Sequence, residues 1–267
     1  MPITAHCIVK NEENFVHYTI ASVIEYVDRI IIFDTGSTDR TIERIQKLAA
    51  RYPDKIIFEE KGPCSKVEHT KFRQEMLDRT ASDWFMILDG DEIWTKRGMQ
   101  EVKDLITENE KVNCVIAPYY LCVGDIFHHS IRGKYHYGTV TIHALPRFFR
   151  RVPGVRWHLG PYGQGDYVED NQGDLIRPGN YVIMAEKYWH VSALERSSKD
   201  HEVSMGRHKQ VMTYSLKLLG EGFKIKNTVP EVFTETNNLK LSPGKSLVNA
   251  VLLVLYGLKI LKKRLWI

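Results

Sequence analysis

The sequence predicts an α/β fold in which a mainly parallel sheet carries helices on both faces. Through residues 3–89, short and almost uninterrupted apolar segments alternate with segments whose apolar residues recur at helical spacing. Strands that are apolar along their whole length are buried on both faces, as they are in parallel sheets. Polar clusters follow the first, second and fourth of these strands. Open parallel sheets bind ligands beyond the carboxyl ends of their strands, so these clusters are the first candidates for a site.

Four strands and three helices are predicted in this part of the chain. The turn at residues 35–39 contains Gly, Ser, Thr and Asp, which favour a tight turn and the start of a helix. The strands are predicted at residues 3–9, 29–34, 55–60 and 84–89, and the helices at residues 12–27, 41–52 and 67–80.

The alternation of strands and helices ends near residue 110. Strands are predicted at residues 113–121, 139–151 and 180–191, without helices of similar length between them. Residues 153–180 are rich in Gly, Pro, Asp and Asn, which predicts a loop. Residues 193–219 are predicted to be helical, so C-terminal helices complete the mixed fold.

The composition is that of a soluble globular protein, and it argues against some partners. The chain has 267 residues, 43% of them hydrophobic and 26% charged. A net charge of +4 gives no case for nucleic acid as a partner. The four cysteines show no metal-binding spacing and are expected to be reduced thiols of a cytoplasmic chain. The N-terminus lacks a basic region followed by an apolar stretch, so no signal peptide is expected.

The sequence Asp-Gly-Asp-Glu at residues 89–92 ends the fourth predicted strand with three acids. Carboxylates this close raise one another's pKa, so a metal ion, a basic neighbour or water must compensate the charge. Gly90 lets the backbone turn sharply. Asp89 and Asp91 are then placed to bind a hard divalent cation, directly or through water. A solvent-exposed acidic turn is the alternative.

A second polar cluster, at residues 34–41, follows the second predicted strand. Ser37 and Asp39 are good helix caps, and capping alone accounts for either of them. Capping does not account for Asp34, which lies at the end of the strand. Its carboxylate is predicted to accept hydrogen bonds from a nucleotide base or ribose.

Three motifs in order, VKNEE, FDTGSTDRT and FMILDGDE, resemble the family 2 glycosyltransferases. The bacterial branch that builds lipopolysaccharide cores and cell-surface glycans is the most similar. The resemblance covers residues 3–95 strongly and residues 140–191 loosely. It implies a GT-A (Rossmann-like) fold, a nucleotide-sugar donor, a divalent metal, Mn²⁺ or Mg²⁺, and inversion at the anomeric carbon. It also implies a glycosyltransferase domain at residues 1–220, followed by an extension at residues 221–267.

The resemblance implies a donor half at residues 1–110 and an acceptor half at residues 111–192. In the donor half, Asn11 and Glu12 are expected near the nucleoside. Arg73 is expected near the base or a phosphate, although a solvated helix charge is the alternative. Asp34 is expected at the base or ribose, and Asp89 at the ribose or the metal.

The metal is expected to be bound by Asp91 and by His190, which lies near the end of a late predicted strand. Imidazole is a common ligand of Mn²⁺ and similar ions. A buried, hydrogen-bonded histidine beside Trp189 is the alternative. The arginines of residues 147–151 are expected either to meet the donor diphosphate or an acidic acceptor, or to lie on a basic strand edge.

The catalytic base is the least determined group. Inverting transfer requires a carboxylate or a histidine that takes the proton of the acceptor hydroxyl. The similar branch often has a His-Glu pair at the position of His158, but Leu159 follows it here. His158 and Asp166 are therefore the candidates, with Glu169 and Asp170 in the same segment.

The C-terminal segment at residues 245–267 combines a short apolar run with basic residues and a Trp. The run is too short to span a bilayer. The segment is expected either to lie in the membrane interface or to pack on the domain as a terminal helix. In the first case the enzyme works at the inner face of the membrane on a lipid-linked acceptor.

The resulting hypothesis is a metal-dependent, cytoplasmic glycosyltransferase that uses a nucleotide-sugar donor and a glycan or lipid-linked acceptor. A sugar-phosphate nucleotidyltransferase is one alternative. It would carry an N-terminal glycine-rich phosphate loop, and residues 7–15 contain no glycine. A binding protein that kept the fold but lost turnover is the other alternative, because no acid follows His158.

Overall fold

The computed structural model describes residues 1–130, 135–159, 166–200, 223–226 and 228–235. Within them, sixteen strands and five helices are present. The strands are β1 (Ile3–Val9), β2 (Arg29–Asp34), β3 (Ile56–Glu60), β4 (Trp84–Ile87), β5 (Glu92–Ile93), β6 (Cys114–Leu121), β7 (His128–His129), β8 (Tyr135–Tyr137), β9 (Val140–Ile142), β10 (Ala144–Arg150), β11 (Arg156–Leu159), β12 (Asp166–Asp170), β13 (Gly173–Asp174), β14 (Tyr181–Ile183), β15 (Tyr188–His190) and β16 (Phe223–Lys224). The helices are α1 (Val16–Val23), α2 (Thr41–Arg51), α3 (Lys66–Asp78), α4 (Lys96–Glu108) and α5 (Val232–Glu235).

The central sheet is mixed and mainly parallel, which confirms the predicted fold class. Its strand order is β3-β2-β1-β4-β10-β6-β15-β5, and β14 also pairs with β6. Strands β1 to β4 are mutually parallel, whereas β10 runs antiparallel between β4 and β6. The chain therefore builds outward from β1 through β2 to β3 and then returns to the other side of β1 with β4. Open sheets bind ligands at such a change of direction, here between β1 and β4.

Both faces of the sheet are covered, which explains why its strands are apolar throughout. In β2, Ile30 and Ile32 belong to a core cluster that contains residues of α1, α2 and α4. The alternate residues Ile31 and Phe33 pack with Met76 of α3 on the opposite face. Successive side chains of a strand point to opposite faces, so a strand between two helical layers needs apolar residues at every position.

The prediction of a loop over residues 153–180 is wrong. Strands β11, β12 and β13 form a small antiparallel sheet there, and β11 packs against α3. Among its described residues, Gly154, Asn171 and Gly179 lie in turns, and Asn171 is in the turn between β12 and β13. Two of the three predicted late strands are divided: residues 139–151 form β9 and β10, and residues 180–191 form β14 and β15.

The helices differ from the predictions at three places. Helix α1 begins at Val16 instead of residue 12, since residues 10–15 form a turn. Helix α4 was not predicted. Residues 193–200 contain no helix, so that part of the predicted helix 193–219 is wrong. The rest of that helix and the segment 245–267 lie outside the described residues.

The described part of the predicted C-terminal extension packs on the domain. Strand β16 pairs with β7, and the ring of Phe233 lies 5.0 Å from that of Tyr18 in α1. The four cysteines are free thiols, as predicted. Among the described residues, no helix has the length and apolar character that crossing a membrane requires.

Candidate active site

A cleft of about 310 Å³ lies at the carboxyl ends of β1 and β4, where the strand order changes direction. Its lining comes from the end of β1 and the residues after it (Ile8, Val9, Lys10 and Glu12), from the turn at residues 89–91 after β4, and from several side chains of other segments. Two of those side chains, His190 and Arg196, come from the far end of the chain. The cleft thus contains both predicted aspartates, the predicted histidine and an arginine that was not predicted.

The turn at residues 89–91 packs closely against the end of β1. A Cβ atom on Gly90 would lie 2.8 Å from Cγ of Glu12 and 3.0 Å from Cγ1 of Val9, so the position admits only glycine. The Gly90 carbonyl also accepts a hydrogen bond of 2.9 Å from the Thr19 hydroxyl of α1. This close packing holds Asp89 and Asp91 on either side of the glycine at the cleft.

Asp89 and Glu92 are compensated by arginines. Arg147 of β10 donates to Asp89 Oδ2 at 2.9 Å and also binds Glu92, and Arg73 of α3 lies 3.4 Å from Asp89 Oδ1. Burial opposes ionisation of Asp89, but the charges of Arg147 and Arg73 outweigh it and lower its pKa. Burial raises the pKa of the fully enclosed Glu92 to about 7, although Arg147 opposes this rise and the Tyr188 hydroxyl donates to Glu92 at 3.0 Å.

Asp91 lies between a histidine and an arginine. Strand β15 pairs with β5, which places His190 opposite Glu92, and the Val191 amide donates to the Asp91 carbonyl at 2.9 Å. His190 Nε2 is 3.6 Å from Asp91 Oδ1, and Arg196 Nη1 is 2.6 Å from Asp91 Oδ2. Burial of Asp91 favours the neutral acid, but these two cationic groups reverse the effect and hold its pKa well below the usual value.

The His190 ring faces the cleft through Nε2. Burial lowers its pKa, and the Asp91 charge more than compensates, so the pKa is raised. Its Nδ1 atom is buried and has no hydrogen-bond partner among the described residues. The ring is instead positioned by packing against Tyr119, with ring centroids 5.1 Å apart.

Residues 195–200, which we name the strap, close one side of the cleft. The strap attaches to the segment after β1, because the Asn14 amide donates to the Arg196 carbonyl at 2.9 Å and the Ser198 amide to Glu13 Oε1 at 2.8 Å. It attaches to the loop after β2 through a hydrogen bond of 2.5 Å from the Ser197 hydroxyl to Asp39 Oδ2. Arg196 joins it to Asp91, so the strap contacts all three polar clusters.

Asn11 and Asp34 build the loops around the cleft. Asn11 has a left-handed backbone, with φ of 54°, and its Oδ1 accepts from the Thr38 amide at 2.8 Å. Asp34 accepts from the amides of Gly36 and Ser37 at 2.9 Å and 2.8 Å, and the Ser37 hydroxyl binds its second oxygen. Both side chains are almost fully buried and neither lines the cleft.

Glu12 and Arg73 occupy different positions relative to the cleft. Glu12 lines it, and its Oε1 accepts from Arg196 at 2.9 Å. Arg73 stands behind Asp89, with its guanidinium 5.0 Å from the ring of Trp157 in β11. Arg73 therefore connects the small antiparallel sheet to the acidic turn.

The two candidates for the base lie on that small sheet. Trp157 packs against Phe85 and Arg73, so the next residue, His158, points to the opposite, exposed side of β11. Asp166 begins β12, opposite Leu159 in register. Of the neighbouring acids, Glu169 pairs with Arg156 at 2.8 Å, and Asp170 pairs with Arg177 through two hydrogen bonds. The structure does not bring His158 into the lining of the cleft.

Asp91 and His190 can bind a hard divalent cation together, provided that other ligands complete its coordination. No cluster of three or more His, Cys, Asp or Glu side chains in the described ranges is arranged to hold a metal ion. Asp91 Oδ1 and His190 Nε2 are close enough to bind one ion together. Mg²⁺ and similar ions are often bound by one or two carboxylates and completed by substrate phosphates and water. The residues therefore fit a cation that arrives with a phosphate-bearing ligand.

Arg196 was not predicted to belong to the site, and Arg147 lies in a different environment from the one predicted. Strand β10 lies inside the sheet, so Arg147 is neither on a strand edge nor exposed to a substrate. Arg196 was assigned to residues 193–200 of a predicted helix, and these residues are not helical. The only local signal for the strap is its run of Ser, Lys and Asp, which is typical of turns and caps.

Comparison with protein families gives one match that covers most of the chain. A family model described as glycosyl transferase family 2 matches residues 5–168. The chain is 28% identical over 119 residues to the SPbeta prophage-derived glycosyltransferase SunS of Bacillus subtilis (strain 168), which covers 44% of this chain and 27% of that protein. It is 26% identical over 147 residues to the minor teichoic acid biosynthesis protein GgaA of the same organism, covering 51% of this chain and 32% of that protein. The chain thus spans about a third or less of the length of these relatives.

Solved structures give more distant similarities. S. aureus TarS 1-349 in complex with UDP is 12% identical, with a TM-score of 0.49, over 82% of this chain and 65% of that chain. Glucosyl-3-phosphoglycerate synthase from Mycobacterium tuberculosis, in complex with Mn²⁺, UDP and glucosyl-3-phosphoglycerate, is 22% identical, with a TM-score of 0.33, over 44% of each chain. At these TM-scores neither structure assigns a ligand or a residue role to this chain.

Proposed function

This chain belongs to glycosyl transferase family 2, and from that premise we propose that it moves a sugar from a nucleotide-diphosphate donor to a hydroxyl group of a glycan or glycolipid. The observation that carries the proposal is the cleft between β1 and β4, where Asp89, Asp91 and His190 converge. Membership of this family favours glycosyl transfer over nucleotidyl transfer and over a binding protein without turnover.

The charges of the cleft suit a nucleoside diphosphate. Its lining includes the basic side chains of Lys10, His69, His190 and Arg196, beside the acidic side chains of Glu12, Asp89 and Asp91. A diphosphate carries at least two negative charges and binds where fixed cations replace its hydration shell. Asp89 is kept ionised by Arg147 and Arg73, and about a third of its side chain remains exposed. We assign it the role of accepting hydrogen bonds from the hydroxyl groups of the donor ribose.

The donor nucleoside is proposed to lie over the loops after β1 and β2. Asn11 and Asp34 hold these loops together, because each accepts hydrogen bonds from backbone amides of the segment 36–38. Their proposed role in donor binding is therefore to shape the surface that receives the base and ribose. Glu12 lies at the border between this surface and the acidic turn.

Asp91 and His190 are proposed to hold a divalent cation, Mn²⁺ or Mg²⁺. When bound, such a cation neutralises charge on the departing diphosphate. The backbone contact between Val191 and Asp91 fixes the distance between the two side chains. Arg147 keeps the neighbouring Glu92 out of the cleft by binding it inside the sheet.

Transfer is proposed to invert the anomeric carbon. The acceptor hydroxyl attacks that carbon from the side opposite the diphosphate, the bond from carbon to the diphosphate oxygen breaks, and the hydroxyl proton passes to a base. His158 and Asp166 are the proposed bases. Both belong to the small sheet that packs on α3 through Trp157, and the His158 side chain lies on the exposed face of that sheet. The acceptor is proposed to enter from this side, at the inner face of the membrane.

The experiment is a thermal-shift screen of nucleoside diphosphates and nucleotide sugars, each with and without Mn²⁺. A ligand that binds only the folded state raises its stability by about 2.7 kcal/mol at a concentration 100 times Kd. We expect one nucleotide to raise the melting temperature, and Mn²⁺ to increase that shift.

The matched variants are Asp91→Asn and, as the control, Asp104→Asn on the exposed face of α4. Asp91→Asn is expected to remove the Mn²⁺-dependent shift and to lower sugar transfer by about 100-fold or more. Asp104→Asn is expected to behave as the wild type. Equal activity of the two variants would contradict the role of Asp91, and the absence of any nucleotide shift would contradict the proposed donor.

A further inference from the structure

The Asp91 carboxylate is already paired with a cationic side chain of the same protein. Arg196 Nη1 donates to Asp91 Oδ2 at 2.6 Å and to Glu12 Oε1 at 2.9 Å. The Asp91 residue is only 3% exposed, and His190 faces its other oxygen. The carboxylate proposed to receive a divalent ion is therefore neutralised before any ion arrives.

Arg196 is held in this position by its backbone as well as its side chain. Its amide donates to Asp200 Oδ2 at 2.8 Å, and its carbonyl accepts from the Asn14 amide at 2.9 Å. The side chain is 12% exposed, and that exposed part lines the cleft. The strap thus presents the guanidinium to the cleft from a fixed backbone.

A guanidinium and a divalent ion on the same carboxylate repel each other. An ion bound to Asp91 Oδ1 and His190 would lie within a few ångströms of the Arg196 charge, and Asp91 itself is only 3% exposed, so the repulsion between the two cations is weakly screened there. A diphosphate changes this balance, because its negative oxygens attract both the ion and the guanidinium. Binding of the ion and of the diphosphate should therefore be coupled.

We propose that Arg196 is the resident counter-ion of Asp91, and that it excludes a free divalent cation until a diphosphate provides a new partner for the guanidinium. This inference rests on the proposed function, since it assumes a diphosphate donor and a cation at Asp91. It adds the order of binding: the cation enters with the nucleotide or after it. Because Arg196 excludes the free cation, the cleft binds little divalent metal between turnovers.

The test is a titration of the free protein with Mn²⁺ alone, followed by the electron paramagnetic resonance signal of unbound Mn²⁺. The variants are Arg196→Gln, Arg196→Lys and, as the control, Arg40→Gln. Arg40 binds Glu13 close to the strap but is 68% exposed and belongs to a different contact. We expect Arg196→Gln to bind Mn²⁺ at least ten times more tightly than the wild type, whereas Arg196→Lys and Arg40→Gln stay near the wild type.

A second titration uses uridine diphosphate and guanosine diphosphate in the presence of EDTA, measured by thermal shift. Here Arg196→Gln is expected to bind the diphosphate about ten times more weakly than the wild type. The two effects have opposite signs. Simple undocking of the strap would weaken the binding of both Mn²⁺ and diphosphate, and that result overturns the proposal.

Tight binding of Mn²⁺ to the free wild-type protein also overturns the proposal, even if the Arg196→Gln variant fails to fold. If none of the proteins binds either diphosphate, a donor with uridine or guanosine diphosphate is contradicted. In that case the Mn²⁺ titration alone still decides whether Arg196 excludes the ion.

Discussion

At the scale of single residues, three arginines explain how the end of β4 tolerates three acids. Arg147 and Arg73 compensate Asp89, Arg147 also binds Glu92, and Arg196 binds Asp91. Charged groups are buried at acceptable cost only when they are paired. Of the three ways to compensate this charge, the described structure uses basic neighbours. The divalent metal is proposed for the state in which the donor is bound.

The pH dependence of stability should show whether Glu13 keeps its hydrogen bonds to the strap. Burial alone would raise its pKa, but hydrogen bonds from Ser198 and Arg40 outweigh it and lower the pKa from 4.5 to about 2. A carboxylate whose pKa is depressed by folding stabilises the protein above pH 4.5, and this contribution is lost as the pH falls towards 2. Between pH 5 and pH 3, we expect the free energy of unfolding to fall by about 1–2 kcal/mol less in Glu13→Gln than in the wild type.

The measurement is urea unfolding of the wild type and of Glu13→Gln at pH 5 and at pH 3. Glu25→Gln, at an exposed position after α1, is the control and should keep the wild-type dependence on pH. If the stability of Glu13→Gln depends on pH as steeply as that of the wild type, the hydrogen bonds between the strap and Glu13 do not hold in solution.

At the scale of elements, the helices show how local signals and tertiary contacts compete. Helix α3 begins with a complete capping box: the Ser65 hydroxyl accepts from the Glu68 amide at 3.3 Å, and Glu68 accepts from the Ser65 amide at 2.7 Å. Helix α1 lacks such a cap and begins later than its apolar spacing suggested. Its expected first turn is instead used by Glu12 and Glu13, whose carboxylates bind the strap.

The capping box of α3 gives a prediction about stability. Replacing Ser65 with Ala removes the acceptor for the Glu68 amide, and loss of an N-cap costs about 1 kcal/mol. We expect the free energy of unfolding to fall by about that amount in urea titrations. Nucleotide binding should stay unchanged, because Ser65 does not line the cleft, whereas His69 of α3 lines it and Arg73 of α3 contacts Asp89.

Thr107→Ala is the control for this prediction. Thr107 lies in the last turn of α4 and donates to the Lys103 carbonyl at 2.7 Å, without any capping role. Its replacement should change stability by less than about 0.5 kcal/mol. A Ser65→Ala variant as stable as Thr107→Ala would show that the capping box contributes little in solution.

At the scale of the whole molecule, the cleft depends on a part of the chain beyond the family match. The match ends at residue 168, whereas His190 and Arg196 come from β15 and the strap. Pairing of β15 with β6 and β5 brings them back to the acidic turn. Residues 188–196 therefore complete the candidate site, and β14 and β15 extend the sheet.

The segment 245–267 gives a prediction for the whole protein. Its apolar residues and basic residues suggest binding at an anionic membrane surface. We expect the full chain to float with vesicles that contain phosphatidylglycerol, and a chain ending at residue 244 to remain in the soluble fraction. Vesicles of phosphatidylcholine alone are the control, and weaker flotation with them is expected. Equal flotation of the two chains would refute a membrane role for this segment.

Some features were determined by the sequence alone because their causes are local. The four parallel strands β1 to β4 and the helices α2 and α3 follow from apolar periodicity, which acts over a few residues. The polar clusters at the strand ends, with Asp89 and Asp91 among them, follow from the same pattern. Parallel strands place their carboxyl ends at one edge, so a site there was predictable.

The partners of the site residues were decided only by the tertiary structure. Arg147 is 58 residues from Asp89, and Arg196 is 105 residues from Asp91 and 184 from Glu12. No local pattern specifies such pairs, since they depend on which strands become neighbours in the sheet. The sequence alone thus predicted where the charged side chains would cluster. Only the folded chain showed that arginines neutralise them, and that one of these arginines, Arg196, pairs with Asp91, the residue that was expected to bind a metal ion.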